Sequence, residues 1–568
     1  MAYVNSSDDS VAERTTTDVV ANVDEMQVGT MKMARVGDRR LAIVRTDAGY
    51  HALDNACPHQ GYGLVTGTLE GDLVTCQWHN WKYCVTDGKC VVGEEDVATH
   101  PVEIVGNEVH VSVTEPTNDE RLEALWPSLE SGIKHDYAGQ ITRDVARLLD
   151  AGADPVDIVW TGIRLGSPRA EWGVDHEMAM AADCLTFTDD YEGLDRALPI
   201  SHALTGISEQ TRGRLPYPVG DAVADVDFAA AVEREDLDAV VGALMTAFAD
   251  GTPMETVRSW FVEAVGAHHL DYGHGAIYTQ KAFELLDKAG WERAAELLPH
   301  LATSIVYGTR EDTLPYMRQA ARVIDSVDGV ALAAAGRDRD PQWDSAPLID
   351  ELLTSQQAPI ASAVAAVADG AGIEGLLDAV TLAVSERLLR YDVSSEFDTS
   401  ENFNWLQITH GLTYSRAARW AWQHHPGAAS ARLALFTVFL CFDTGRKERR
   451  TDGEAVTKLP EPAKGDLEAA IAARDPELAV AIALGGDIDE VGKALGRASM
   501  EDRSGSFIVL AHQIKMAKAA AEEAEAIGSN LPLAATARFA AGERRERFVS
   551  RNVAESIRFV QTGQPPTR

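Results

Sequence analysis

The sequence predicts a multidomain chain, a small all-β domain followed by a large all-α domain of helical hairpins. Three observations predict it. Short β-rich runs separated by turn residues fill residues 19–113, and a polar linker carrying Pro116 interrupts the chain at 114–120. From 121 to 560 apolar residues recur at helical spacing in an Ala-, Leu- and Glu-rich background. At 568 residues the chain also exceeds what one hydrophobic core organises.

The chain carries 51 Lys and Arg against 88 Asp and Glu, a formal net charge of −37. Such a surface repels phosphate backbones and anionic lipid, so neither nucleic acid nor a membrane is expected as a partner. Of six cysteines, four, Cys84, Cys90, Cys184 and Cys441, are scattered outside the paired Cys/His motifs described below, which makes no disulfide framework and fits a reducing cytoplasm. Residues 1–18 are polar and read as a disordered lead-in without an export signal, residues 561–568 read as a frayed tail, and no stretch reads as a membrane span.

Within the β-domain, Leu41–Val44, Tyr50–Leu53 and Leu73–Thr75 read as strands, and Val102–Val105 and Glu108–Val111 as a hairpin around Gly106-Asn107. Between them stand Cys57-Pro58-His59 and, after sixteen intervening residues, Cys76-Gln77-Trp78-His79. Each loop offers one thiolate and one imidazole, the donor set of a [2Fe–2S] cluster with two cysteines on one iron and two histidines on the other. A zinc site takes the same ligand types but usually groups its cysteines together and its histidines together. On these two motifs the domain resembles the Rieske [2Fe–2S] family, which implies that Cys57, His59, Cys76 and His79 hold the cluster.

High-potential members of that family tie the two loops with a disulfide. Here Gln60, Gly61 and Tyr62 follow His59, and Asn80 follows His79, so the resemblance is to the ferredoxin and oxygenase branch. A potential toward the low end of the Rieske range is expected, roughly −150 mV rather than +300 mV. Gln77 and Asn80 stand where that branch commonly has Pro and Gly. Cys84 and Cys90 read as packed thiols.

In the α-domain, Ile141, Val145, Leu148 and Leu149 form one stripe, which Gly152 and Pro155 stop. His176 and His202 are spaced like His274 and His300, and each pair reads as a helix starting near its first histidine and a second helix bearing the other. A weaker third copy starts at His410. Gly370 to Gly375 spells a dinucleotide motif but has no strand before it, so a helix–helix turn is expected. With no flavin or nicotinamide site in view, electrons are expected from an external NAD(P)H-dependent reductase or a ferredoxin.

His176, His202, His274, His300, His410 and His512 all lie inside apolar or Ala-rich helical patterns. Each such imidazole needs a hydrogen-bond partner or a metal. Taken singly each reads as a satisfied core residue; behind an electron-transfer domain, several sharing one metal is the stronger expectation. Lys515 lies one turn from His512. A buried lysine of lowered pKa can be carbamylated into an oxygen ligand, whereas the plainer expectation has it reach solvent or pair with Glu522 or Glu523.

Thr409-His410-Gly411-Leu412-Thr413, His512-Gln513-Ile514-Lys515 and His269-Leu270-Asp271-Tyr272-Gly273-His274 resemble segments of the questin oxidase-like family. The resemblance implies a metal-dependent oxygenase site that opens polycyclic quinone rings, with His274 rather than His269 matching the family's histidine. His269 and His274 also have the spacing of the iron-binding histidines in Rieske oxygenase α-subunits, but Gly266 stands where the acidic residue is needed.

The sequence therefore predicts an oxidoreductase, an oxygenase in which the cluster passes electrons to a mononuclear metal, iron, for O2-dependent oxidation of an aromatic or quinone-like small molecule. Its metal ligands are His176, His274, His410 and His512, with His202 and His300 as further candidates; His274, His410, His512 and Lys515 are the catalytic candidates. Trp405, Tyr278 and Trp420 are candidate pocket walls. A haem on the helical histidines is left open. Two alternatives are an electron carrier fused to a non-catalytic docking domain and a divergent Rieske oxygenase α-subunit using His269 and His274.

Overall fold

A computed structural model describes residues 14–398, 403–448, 458–501 and 507–543, together with positions 553, 557 and 561. Residues 1–13 of the expected lead-in and 562–568 of the expected tail lie outside the described residues. The chain divides into two compact units at Asp154 and Pro155.

The first unit is a β-domain of three antiparallel sheets. Arg14–Asn22, Glu108–Glu115 and Val102–Val105 form one; Thr30–Val36, Arg39–Thr46, Gly49–Asp54 and Thr99–His100 the second; Thr68–Glu70, Leu73–Thr75, Lys82–Cys84 and Cys90–Val92 the third. Leu41-Ala42-Ile43-Val44 is a continuous apolar run because both faces of its strand are buried. Leu41 and Ile43 enter one core with Val109 and Val111, while Ala42 and Val44 enter another with Val74 and Tyr83. The second core also contains Cys57 and Cys76, so the packing that stabilises the sheet also fixes the two ligand loops.

Two boundaries differ from expectation. Residues 14–18 are the start of an edge strand, held by cross-strand hydroxyl pairs, Thr15 with Thr114 at 2.9 Å and Thr17 with Ser112 at 2.8 Å. Their polar composition reads as disorder, yet threonines alternating on one face suit a half-exposed strand. The expected linker at 114–120 is mostly structure as well. The last strand runs to Glu115 and a helix begins at Asn118 under a capping box of Thr117 and Glu120. That helix, Asn118–His135, and the next, Ala138–Asp150, belong to the first unit. Leu129, Ile133, Ile141, Val145 and Leu148 are their buried residues.

The second unit is helical throughout its described residues, apart from isolated bridges. Four helices bear the histidines of interest: His176–Phe187, His274–Ala289, Trp405–His424 and Phe507–Ile527. Each packs on two of the others, closing a ring of four in the order just given. The expected helix starts at His176 and His274 are observed, the first capped by Asp175 accepting from Glu177 N. Gly370 and Gly372, with φ of 110° and 61°, turn the chain between Ile360–Ala366 and Gly372–Arg390, as expected for a helix–helix connection. Ile360–Arg390 and Ala428–Arg446 are long and apolar enough to cross a membrane by composition, contrary to the sequence reading, but 50% and 72% of those windows is buried within the protein.

Candidate metal centres

The first centre sits between the second and third sheets. Gly61 N donates to Cys57 O and Cys57 N to Tyr62 O, closing one ligand loop; Asn80 N donates to Cys76 O and Cys76 N to Trp81 O, closing the other. Gly61 and Asn80 take φ of 77° and 59°, the left-handed region, which asparagine tolerates better than most residues. Asn80 therefore serves the turn for which the branch commonly uses glycine.

These turns bring the four sequence-expected donors together. His59 Nδ1 and His79 Nδ1 stand 3.0 Å apart, and the His59 ring stacks on Trp81 at 4.6 Å. Cys57 and Cys76 are buried, and burial pushes the Cys57 thiol up. The Tyr83 hydroxyl, 3.1 Å from Cys57 Sγ, is placed to donate to a thiolate. Two converging imidazole nitrogens beside two buried thiols fit a [2Fe–2S] cluster with His59 and His79 on its exposed iron. Cys84 and Cys90 are free, half-buried thiols outside the donor set.

The family model of the Rieske [2Fe-2S] domain matches residues 16–104. Over 99 residues the chain is 31% identical to the ferredoxin component of the alkene monooxygenase system of Xanthobacter autotrophicus, covering 80% of that protein and 17% of this one. Through this domain the chain belongs to the Rieske [2Fe–2S] family. Ferredoxin CarAc of Metapseudomonas resinovorans is likewise 31% identical over 99 residues, with 90% of it and 16% of this chain covered. A chain in the solved complex of reduced oxygenase and oxidized ferredoxin of carbazole 1,9a-dioxygenase is 30% identical, with 98% of it and 16% of this chain covered and a TM-score of 0.16. The Rieske match leaves the helical unit outside it.

The second centre is the middle of the four-helix ring. His176, His274, His410 and His512 form a closed circuit, with ring centroids 4.7 Å (176 to 274), 4.5 Å (274 to 410), 5.1 Å (410 to 512) and 4.7 Å (512 to 176) apart. Candidate donor atoms of His176, His274 and His512 all lie within 4.8 Å of one another.

Backbone carbonyls orient three of these rings. Nδ1 of His274 donates to Asp271 O at 2.5 Å, that of His410 to Leu406 O at 2.5 Å, and that of His512 to Ile508 O at 2.7 Å. A proton on Nδ1 leaves a lone pair on Nε2. Yet His274 Nε2 and His410 Nε2 face each other at 2.8 Å, and His512 Nε2 is buried with no partner among the described residues. Protonating a ring would relieve the repulsion, but burial holds His410 down to about 3 and His274 and His512 well below the usual range. A metal cation bound here would supply the missing positive charge, and an all-imidazole site suits iron, zinc, copper or nickel.

His274 is delivered by a strained turn. Asp271, Tyr272 and Gly273 have successive φ of 47°, 57° and 100°, and a Cβ on Gly273 would stand 2.6 Å from Tyr414 Cδ2. The same turn puts the Tyr272 ring 5.6 Å from His410 and its hydroxyl 2.6 Å from Asp443 Oδ2. Glu177, next to His176 in the chain, carries no local sequence signal for the site; burial, with Asp175 beside it, pushes its carboxyl up.

Lys515 is buried, 2.6 Å from His176 Nδ1, and burial lowers it to about 8. The carboxylates expected to hold it are taken: Glu522 pairs with Arg416 and Lys518, Glu523 with Arg419. Tyr278 borders the ring, 5.2 Å from His274 and 5.7 Å from His176.

Other candidates fall outside. His202 Nε2 is engaged 2.7 Å from Met500 O, and His300 is buried, held down to about 4, with no ring contact recorded to the four imidazoles. Only the first histidine of each repeated pair thus reaches the centre. His269 lies in a separate aromatic pocket of Tyr272, Tyr414, Phe436 and Phe439, so it does not form a site with His274. Trp405 packs on Tyr391 and Phe539, and Trp420 on Phe283 and His424, as core residues.

Proposed function

We propose that the protein is an oxygenase in which electrons received at the Rieske site serve a mononuclear iron held by His176, His274, His410 and His512. The carrying observation is the 2.8 Å approach of two Nε2 atoms whose Nδ1 atoms both donate to backbone carbonyls. Such a pair is at ease only around a cation. Relatives named as ferredoxin components of a monooxygenase system and of a naphthalene dioxygenase/salicylate hydroxylase system support the redox role.

A cluster and an iron bound at these sites would supply single-electron transfer and dioxygen binding. The chain's own residues divide the remaining work. Carbonyls of Asp271, Leu406 and Ile508 hold three of the imidazoles, Lys515 as a neutral amine would accept the Nδ1 proton of a His176 bound through Nε2 and so orient it or, carbamylated, would offer oxygen, and Tyr278 walls the centre. An aromatic or quinone-like substrate is in keeping with the resemblance of the His-bearing segments to the questin oxidase-like family. The electron donor is a separate NAD(P)H-dependent reductase or ferredoxin, and four unpaired thiols outside the cluster site support a reducing, cytoplasmic setting.

Metal analysis of the purified full chain tests this reading. About three irons per chain are expected, two in the cluster and one in the ring. His410→Ala and His512→Ala should each lose one iron and keep the cluster's absorption. Two irons in the wild type, unchanged in both variants and with no other metal bound, would sink the proposal.

A further inference from the structure

The helical hairpin Asn118–Asp150 follows the residues matched to the Rieske family, yet it belongs to the same compact unit. Its second helix carries Arg143, whose Nη1 donates to the backbone carbonyl of His59 at 3.2 Å and whose Nε donates to Glu95 at 3.2 Å. Glu95 also receives Arg147, which bonds Asp144 at 3.2 Å. Arg143 Nη2 is buried with no partner among the described residues. Of these charges Arg143 is the one that touches a ligand loop. Its counter-ion is shared with Arg147, and Glu94, the other carboxylate near His59, is exposed and screened by water.

We infer that the hairpin is a redox-tuning addition to the Rieske unit, in which Arg143 is a positioning residue that raises the cluster's reduction potential. Reduction adds one negative charge to the cluster. A guanidinium held against the His59 loop, with its side chain only 19% exposed, stabilises that state over the oxidised one. The inference rests on the cluster assignment above. Arg143 is visible in the sequence only as a polar position on an amphipathic helix.

The test is voltammetry of the cluster-loaded full chain, with loading read separately from iron content and visible absorption. Arg143→Met should lower the midpoint by the equivalent of about a tenfold change in the one-electron equilibrium, ~59 mV. Arg143→Lys, which keeps the charge, should recover most of that shift. Glu95→Gln removes the counter-charge and should move the midpoint the other way. An Arg143→Met protein with full loading and an unchanged midpoint overturns the inference. If that variant does not load, Glu95→Gln decides: an upward shift supports it, and no shift or a downward one overturns it. A wild-type chain that takes up no cluster would instead overturn the assignment on which the inference rests.

Discussion

The two candidate centres are built on opposite plans. In the β unit, four donors come from two tight turns close in sequence, and the imidazole edge faces water, with Trp78 56% exposed beside an exposed His79. In the helical unit, four donors come from four helices spread from His176 to His512; His410 and His512 are buried and His176 and His274 half-buried. A site at a surface edge can exchange electrons with a partner. A site walled by helices limits the access of water and holds imidazoles in fixed orientations, which suits chemistry on a bound molecule. The proposed division between entry and use of electrons predicts that each centre can be destroyed without the other.

Cys76→Ser should have the largest effect. Losing one thiolate ligand removes the cluster, so reductase-driven oxidation falls to background while the ring keeps its metal, measured by turnover and metal analysis of the same sample. Turnover that survives would make the Rieske unit regulatory. Gly273→Ala breaks the other side. A methyl group at φ 100°, 2.6 Å from the Tyr414 ring, should cost about 3–4 kcal/mol from strain and overpacking. Thermal unfolding of the helical unit should move down and the ring metal be lost, with the cluster's visible spectrum intact.

The same contrast explains what was legible in the sequence. Cys57-Pro58-His59 and Cys76-Gln77-Trp78-His79 declare themselves because a loop ligand set is local, and local spacing is chemistry. The Leu41–Val44 and Tyr50–Leu53 strands and the Gly106-Asn107 hairpin were equally plain. In the helical unit the type of element was readable from periodicity, and the four ring histidines were among the six put forward. Nothing local separates His176 from His202 or His274 from His300, because the choice depends on which helices meet. Lys515 was expected to find Glu522 or Glu523, but Arg416 and Arg419, far away in sequence, occupy them. Arg143 was illegible for the same reason: its partner, the His59 carbonyl, lies across the fold.

His269 gives an internal comparison for the ring, a buried imidazole that lies outside it. It is 0% exposed, neither nitrogen has a partner among the described residues, and burial lowers it to about 4 from an ordinary value near 6.5. Between pH 6.5 and 4 the unfolded chain therefore binds a proton that the folded chain refuses. Stability is full above about pH 6.5 and is lost progressively as pH falls toward 4, by roughly 2–3 kcal/mol from this residue. His269→Leu should remove that acid-side loss and shift the acid unfolding midpoint downward. Acid unfolding curves that superimpose for variant and wild type would show that water reaches this imidazole.

The smallest expected effect lies at the loop site and concerns a single hydroxyl. Tyr83 is fully buried in the core that contains both ligand cysteines, and its hydroxyl stands 3.1 Å from Cys57 Sγ. A donor aimed at a ligand sulfur stabilises negative charge there, and the reduced cluster has more of it. Tyr83→Phe keeps the ring in the core and deletes only the donor. The net worth of one hydrogen bond, about 1 kcal/mol, corresponds to roughly 40 mV for one electron, so the midpoint should fall by that order without loss of loading. Because the hydroxyl acts at a cysteine and Arg143 at the backbone of a histidine loop, the two shifts should add in the double variant. A double variant shifted no further than either single one would mean that both changes merely loosen one shared loop.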